Sequence, residues 1–280
     1  MRPQEWVKNV LVFAGLLFSG KVDEVAQVGD ALITFVAFCA ISSAGYLFND
    51  LRDAEQDRLH PDKRRRPIAS GALAPGTAAS AAVALTVVAL GLAAVGVDAE
   101  VAGLVALYGV ITAAYSLLLK HLVIIDVMTI ASLFILRVVA GAVAVEAQAS
   151  EFLLVCTAML ALFLGFTKRR QEAILEETEA AETRPVLEHY SVPFLDQMVS
   201  MVTAAAIISY VIYAVSSPLA GSKMLATAPS VLYGVFRYLY LIYDRRDTRS
   251  TAAILVEDPG MVFAGVTFVA SAIAVLYVFD

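Results

Sequence analysis

Cysteine is almost missing from this sequence: among 280 residues only Cys39 and Cys156 are cysteines, and both fall inside long apolar runs. A disulfide framework and a thiolate metal centre are thereby excluded, and the two thiols read as small side chains packed between helices. Low-complexity stretches and long linkers are lacking too. Nothing divides the chain, so residues 1–280 are expected to form a single domain. A cleaved export signal is not expected either. Arg2 and Lys8 make only a weak basic start, and LLFSGKV is a poor small-residue cleavage site.

What the chain has in excess is apolar surface. Hydrophobic residues make up 60% of it and the mean hydropathy is +0.77, whereas about half apolar is usual for a soluble domain. The excess collects in runs of roughly 17 to 25 residues, the length a helix needs to cross about 30 Å of hydrocarbon. Helices also satisfy the backbone groups for which lipid offers no partner. The runs predict an all-α, polytopic membrane protein with nine transmembrane helices, near residues 8–20, 31–57, 77–97, 100–119, 124–145, 150–177, 191–217, 228–244 and 257–279. The first is short and is followed by Lys21, Asp23 and Glu24, so it is expected to be tilted or only partly spanning. Gly141, Gly165 and the many alanines are expected to let helices approach closely.

The net charge of −6 says less than the placing of the charges. With the N-terminus in the cytoplasm, the basic clusters near residues 2–8, 52–66, 120, 168–184 and 245–249 all fall on that side. Only Lys21 and Lys223 fall on the other, a strong positive-inside bias. Arg137 and Arg237 sit inside apolar runs, where they need partners; pairing for structure and lining of a polar cavity both stand open. His189 reads as a loop histidine.

Charge at the membrane edge is densest in FNDLRDAEQDRLHPDKRRRPIASG, Phe48 to Gly71. On a helix continuing to residue 57, Asn49, Asp53, Asp57 and Asp50 share one face, and Glu55 points away. One aspartate near the bilayer centre costs about 3 kcal/mol, so three left unpaired would cost about 10 kcal/mol. Carboxylates converging on one point suit Mg²⁺, which binds through one or two carboxylates plus phosphate oxygens. The alternative is an acidic helix end solvated at the interface, although an acidic C-terminus opposes the helix dipole. Lys63 and Arg66 are candidates to contribute to a phosphate loop shaped by Pro61 and Pro67; topology alone would also explain this basic run. In FLGFTKRRQEAILEE, Lys168, Glu172 and Glu176 share a face with Arg169 nearby, which fits either a phosphate clamp or surface ion pairs.

Asn49, Asp50, Asp53 and Asp57 as N-D-x-x-D-x-x-x-D, then Tyr115 with Lys120, on nine helices, resemble the UbiA superfamily of intramembrane prenyltransferases along essentially the whole chain. The resemblance implies that the first Asp motif binds Mg²⁺ bridging to a diphosphate. It also implies a second D-x-x-x-D, from which this sequence departs: Lys168 and Glu172 stand at those positions. Replacing a metal-binding carboxylate by lysine supplies a direct phosphate partner, so the donor is expected to be anionic at two places. With RPQEWVKN and TKRRQE, the pattern resembles the decaprenyl-phosphate phosphoribosyltransferase branch, which makes the lipid-linked ribose precursor of cell-wall arabinan.

That resemblance implies Mg²⁺-dependent transfer of 5-phosphoribose from 5-phosphoribosyl 1-diphosphate to a polyprenyl phosphate in the bacterial cytoplasmic membrane, with the active site facing the cytoplasm. Asp50, Asp53 and Asp57, with Asn49, are the expected metal residues. Those expected on donor phosphate are Lys63, Arg66, Tyr115, Lys120, Lys168, Arg169 and Tyr190, and Glu172 is expected to hold the cations or a ribose hydroxyl. Lys8 and Asn9 are expected at the acceptor phosphate, and Asp126 to pair with Lys120. Membrane lipid is an expected partner, nucleic acid is not, and a homo-oligomer is compatible with the pattern. Two rivals stand beside this reading: a prenyltransferase joining a prenyl diphosphate to an aromatic acceptor, and a non-catalytic transporter or lipid-binding protein.

Overall fold

The computed structural model describes residues 2–59, 63–179, 185–217 and 219–278. Pro61 lies outside them, and the Glu176 side chain is not among those described. The chain starts with a 3₁₀ segment, Pro3–Val12, that runs into the short helix α1, Phe13–Leu17. There follow α2 (Val25–Arg52), α3 (Ala54–Leu59), α4 (Pro75–Gly96), α5 (Ala99–Leu117), α6 (Ile125–Ala144), α7 (Glu151–Glu179), α8 (Val192–Val215), α9 (Ala228–Tyr243), α10 (Thr251–Glu257) and α11 (Pro259–Ile273).

Among the described residues eight helical segments are long and apolar enough to cross a membrane: α2, α4, α5, α6, Glu151–Leu175 of α7, α8, Gly221–Tyr243 and Pro259–Val278. The expected first helix is different in kind. A 3₁₀ helix rises about 2.0 Å per residue and an α-helix about 1.5 Å, so Pro3–Leu17 reaches about 28 Å, close to the hydrocarbon thickness. The tighter winding gives a short apolar segment the reach of a longer α-helix.

The second departure lies at Asp53. Instead of running on to residue 57, α2 ends at Arg52, and Asp53 (φ −92°, ψ 6°) separates it from α3. Asn49 donates its side-chain amide to the Asp53 carboxylate at 3.0 Å. This i,i+4 side-chain pair is one that a helix accommodates, and backbone bonds from the Asp53 N–H to the Asn49 carbonyl at 2.9 Å and from the Asp57 N–H to the Asp53 carbonyl at 2.8 Å carry the chain from α2 into α3.

Packing falls into two halves. Phe38, Ile41, Val101, Val105, Tyr108 and Leu133 form one core from α2, α5 and α6, with Phe38 edge-on to Tyr108 at 5.2 Å. Phe163, Phe166, Leu195, Tyr238 and Ile254 form the other, with Phe163 edge-on to Tyr238 at 5.5 Å. Helix α6 joins them, since Leu133 belongs to the first and Val127 to the second. Small residues set the closest approaches, as expected: a Cβ on Gly141 would meet the Val12 carbonyl oxygen at 1.8 Å, and one on Gly165 would meet Val127 Cγ1 at 2.6 Å.

The two arginines inside the spans differ. Arg237 pairs with Asp258 through Nε at 3.0 Å and Nη2 at 2.9 Å. Arg137 is buried and finds neutral partners: the Asn9 side-chain oxygen at 2.7 Å, the Leu133 carbonyl at 2.8 Å and the Tyr108 hydroxyl at 2.6 Å. Both cysteines are free thiols.

Candidate active site

Each aspartate at the end of α2 and on α3 meets a cation of the chain. Arg66 Nη1 donates to Asp57 Oδ2 at 2.6 Å and to Asp50 Oδ1 at 3.3 Å. Arg2 Nη2 donates to the same Asp50 oxygen at 2.5 Å. Lys120 Nζ lies 2.8 Å from Asp53 Oδ1. Asp50 and Asp57, seven residues apart, lie close enough for one guanidinium to span both. Arg66 is delivered by the 3₁₀ turn Lys63–Arg65, its backbone N–H bonding the Lys63 carbonyl at 2.9 Å. Lys120 comes from the turn Leu119–His121 that follows α5.

Among the described residues no three carboxylate, histidine or cysteine side chains converge as a ready metal centre. The donor set nonetheless fits a hard divalent cation, because Asp50, Asp53, Asp57 and Asn49 offer only oxygen ligands on the acidic side. Positive charge already stands against all three carboxylates, which shows what this end of α2 demands electrostatically.

On α7 the arginine of the expected clamp has partners within the protein. Arg169 is buried and its fork is already engaged: Nε donates to Asp126 Oδ2 at 2.5 Å, Nη1 to Glu172 Oε2 at 2.5 Å and Nη2 to the Tyr115 hydroxyl at 3.1 Å. These bonds tie the start of α6 to α7 and hold the Glu172 carboxylate beside the guanidinium. Asp126 was expected to pair with Lys120; it takes Arg169 and the Tyr190 hydroxyl instead, the latter at 2.8 Å. Tyr190 also accepts from the Ile124 N–H at 2.6 Å. Ile124 has φ 69°, a conformation uncommon for a β-branched residue, and this bond fixes the entry into α6 just before Asp126. Tyr115 and Tyr190 thus brace the buried arginine.

The N-terminal segment contributes more than was expected of it. With three residues per 3₁₀ turn, Trp6, Asn9 and Val12 fall on one stripe and Arg2, Glu5 and Lys8 on another. The first stripe faces the bundle: Trp6 donates to Ser43 at 3.2 Å, and Asn9, fully buried, donates to Cys39 and accepts from Arg137. Asn9, expected at the acceptor phosphate, thus has both of its amide groups engaged within the protein. On the second stripe Lys8 Nζ lies 2.5 Å from Glu5 Oε2, the Tyr46 hydroxyl donates to the same oxygen at 3.5 Å, and Lys168 of α7 is near enough for its charge to act on Glu5. Arg2, Glu5 and Tyr46 escaped the sequence reading. The three-residue spacing in RPQEWVKN was the signal that would have found the first two.

The model of the UbiA prenyltransferase family matches residues 10–266. The chain belongs to this family. Among similar proteins, the decaprenyl-phosphate phosphoribosyltransferase of Corynebacterium glutamicum is 38% identical over 216 residues, covering 76% of this chain and 65% of that protein. The enzyme of the same name from Mycolicibacterium smegmatis is 35% identical over 228 residues, covering 80% of this chain and 71% of that one. The match thus spans roughly two thirds of the length of these relatives. In fold, the UbiA homologue from Archaeoglobus fulgidus bound to GPP and Mg²⁺ superimposes with a TM-score of 0.72 at 18% identity, covering 99% of this chain and 98% of that one. This UbiA chain therefore carries the same fold over nearly its whole length.

Proposed function

We propose that this protein transfers 5-phosphoribose from 5-phosphoribosyl 1-diphosphate to a polyprenyl phosphate of the bacterial cytoplasmic membrane, releasing diphosphate. The observation that carries the reading is the presence of two adjoining polar centres that share Arg2. One is built on Asp50, Asp53 and Asp57; the other gathers Lys168 of α7 with Lys8 and Arg2 around Glu5. A donor with a diphosphate at one end and a phosphate monoester at the other matches both. The names of the Corynebacterium and Mycolicibacterium relatives support the same chemistry. The whole chain acts as one domain with its N-terminus and active site on the cytoplasmic side.

Asp50, Asp53 and Asp57, with Asn49, would hold Mg²⁺, which would supply the positive charge that a departing diphosphate needs. Arg66 and Lys120, already beside those carboxylates, present their remaining N–H donors to diphosphate oxygens. An oxygen of the lipid phosphate attacks C1 of the ribose as the bond from C1 to the diphosphate oxygen breaks, with inversion at C1. The attacking phosphate is anionic at neutral pH, so no strong base is required, and alignment with electrostatic stabilisation supplies the rate. Glu172, aimed by Arg169, is placed to accept from a ribose hydroxyl.

Purified protein, ribose-labelled 5-phosphoribosyl 1-diphosphate, polyprenyl phosphate and Mg²⁺ test the reading. Label should enter the organic phase, and chelation should stop it. Transfer instead from a prenyl diphosphate to an aromatic acceptor would overturn it.

A further inference from the structure

The arginines inside the spans differ in what neutralises them. Arg169 has Asp126 and Glu172, and Arg237 has Asp258. Arg137, only 4% exposed, has no carboxylate: among the described residues its bonds go to the Asn9 side-chain oxygen, the Leu133 carbonyl and the Tyr108 hydroxyl. A cation buried in a span without a counter-ion is costly, so a plain tie between two helices would be better made by a neutral side chain. What arginine supplies instead is a planar fork of N–H donors aimed in fixed directions. That fork joins three elements: the N-terminal 3₁₀ segment through Asn9, α5 through Tyr108, and its own helix α6.

We infer that Arg137 is a positioning residue of the site, which holds the 3₁₀ segment, through Asn9, at the height on α2 that lets Arg2 meet Asp50. The lengths agree. Asn9 is level with Cys39 and Ser42 of α2, which lie 3.3 and 3.5 Å from its side-chain amide. From Asn9 back to Pro3 the segment rises about 12 Å, at about 2.0 Å per residue. From Ser42 on to Asp50, α2 also rises about 12 Å, at about 1.5 Å per residue. Arg2, the neighbour of Pro3, therefore arrives beside Asp50, and Nη2 meets Oδ1 at 2.5 Å. The line of contact continues one turn further along α6, where a Cβ on Gly141 would stand 1.8 Å from the Val12 carbonyl oxygen. Gly141 sets how near the segment lies to α6, and Arg137 sets how far it slides along it. A slip of one residue would move Arg2 by about 2.0 Å and turn it by about a third of a circle, enough to lose Asp50.

The inference rests on the proposed Asp motif for what Arg2 positions, so docking of the segment is also measured apart from that motif. Trp6 is the one tryptophan of the sequence, and it lies on the anchored stripe, bonded to Ser43. Acrylamide quenching of its fluorescence in the detergent-solubilised full chain is compared with that of Arg137→Gln and Asn9→Ala, at a temperature where melting curves show all three folded. The quenching constant should rise at least about twofold in both variants, as local release of the segment requires. Calorimetry then follows Kd for diphosphate with Mg²⁺ in Arg137→Gln, Arg2→Gln and the double variant. Each single variant should weaken Kd about fivefold, and the double variant no more than about twofold beyond the weaker single, because both act through one contact. Quenching that stays at the native level in both Trp6 comparisons overturns the anchor. A double variant about 25-fold weaker than the native chain overturns the link to Arg2, since independent effects multiply. A native chain that does not bind diphosphate with Mg²⁺, with the quenching changes intact, would instead remove the reading of the Asp motif and leave the anchor standing.

Discussion

Arg169 Nε lies 2.5 Å from Asp126 Oδ2, and the two side chains are 1% and 0% exposed. Forty-three residues apart in sequence, they tie α7 to the start of α6 in a place solvent does not reach. Removing one partner of a buried pair leaves an uncompensated charge and costs about 3–5 kcal/mol. Arg169→Met and Asp126→Leu should therefore each lower the unfolding midpoint in detergent markedly. Lys168→Gln, at a half-buried position on the same helix turn, should change stability by less than about 1 kcal/mol while lowering turnover. A normal midpoint for Arg169→Met, combined with a raised donor KM, would return Arg169 to the phosphate clamp.

Asp53 accepts from Lys120 and from Asn49 and is only partly buried, its side chain 23% exposed. Asparagine keeps the shape and one acceptor oxygen but removes the charge. Asp53→Asn is expected to fold normally, within about 1 kcal/mol of the native chain. Turnover should fall at least about 100-fold, the scale on which a preorganised electrostatic group acts. A titration of activity against Mg²⁺ should also shift to higher concentration. Full activity in the variant would dismiss the Asp motif as the metal site.

The spans α2, α4 to α9 and α11 were legible because apolar length is a strong signal, and the Asp motif because charge inside a membrane edge demands an explanation. Three features were not. The interruption of α2 at Asp53 is a local change of backbone angle, φ −92° and ψ 6°, which helical periodicity does not register. The 3₁₀ winding of Pro3–Val12 moves Arg2 and Glu5 next to Lys8, whereas an α-helical reading places Arg2 and Lys8 about two turns apart on drifting faces. Arg169 resembled a phosphate ligand because its sequence neighbours are basic; its carboxylate partner Asp126 belongs to another helix, and such long-range pairing has no local trace.

Gly141 gives a steric test of the N-terminal segment. A Cβ there would stand 1.8 Å from the Val12 carbonyl oxygen, 2.6 Å from its carbon and 2.9 Å from its Cα. Backbone cannot yield as a side-chain tip does, so Gly141→Ala must push the 3₁₀ segment off α6. A loss of about 1–3 kcal/mol is expected from overpacking, with reduced turnover because Lys8 and Arg2 move with the segment. Gly103→Ala, where nothing lies within 4 Å of the added carbon, is the matched control and should leave both quantities unchanged. Equal midpoints for the two variants would contradict the close crossing.

Asp258 couples the C-terminal helices to pH. It caps α11 by accepting from the Met261 N–H at 3.0 Å and binds Arg237 at both carboxylate oxygens. The Arg237 hydrogen bonds outweigh the effect of burial, with the Met261 bond adding, and hold its carboxyl below the ordinary 3.8. A depressed folded value means that the contribution is fully present above the unfolded value and is lost as pH falls through the lower folded one. Asparagine at this position can still cap the helix but cannot titrate. At pH 7 Asp258→Asn should therefore unfold at lower temperature than the native chain, and the gap should close as the pH is lowered below 3.8. Melting curves at pH 7, 5 and about 3 decide it. A gap that stays constant over that range would mean that Arg237 is held by geometry alone and that the charge on Asp258 contributes nothing to joining α9 and α11.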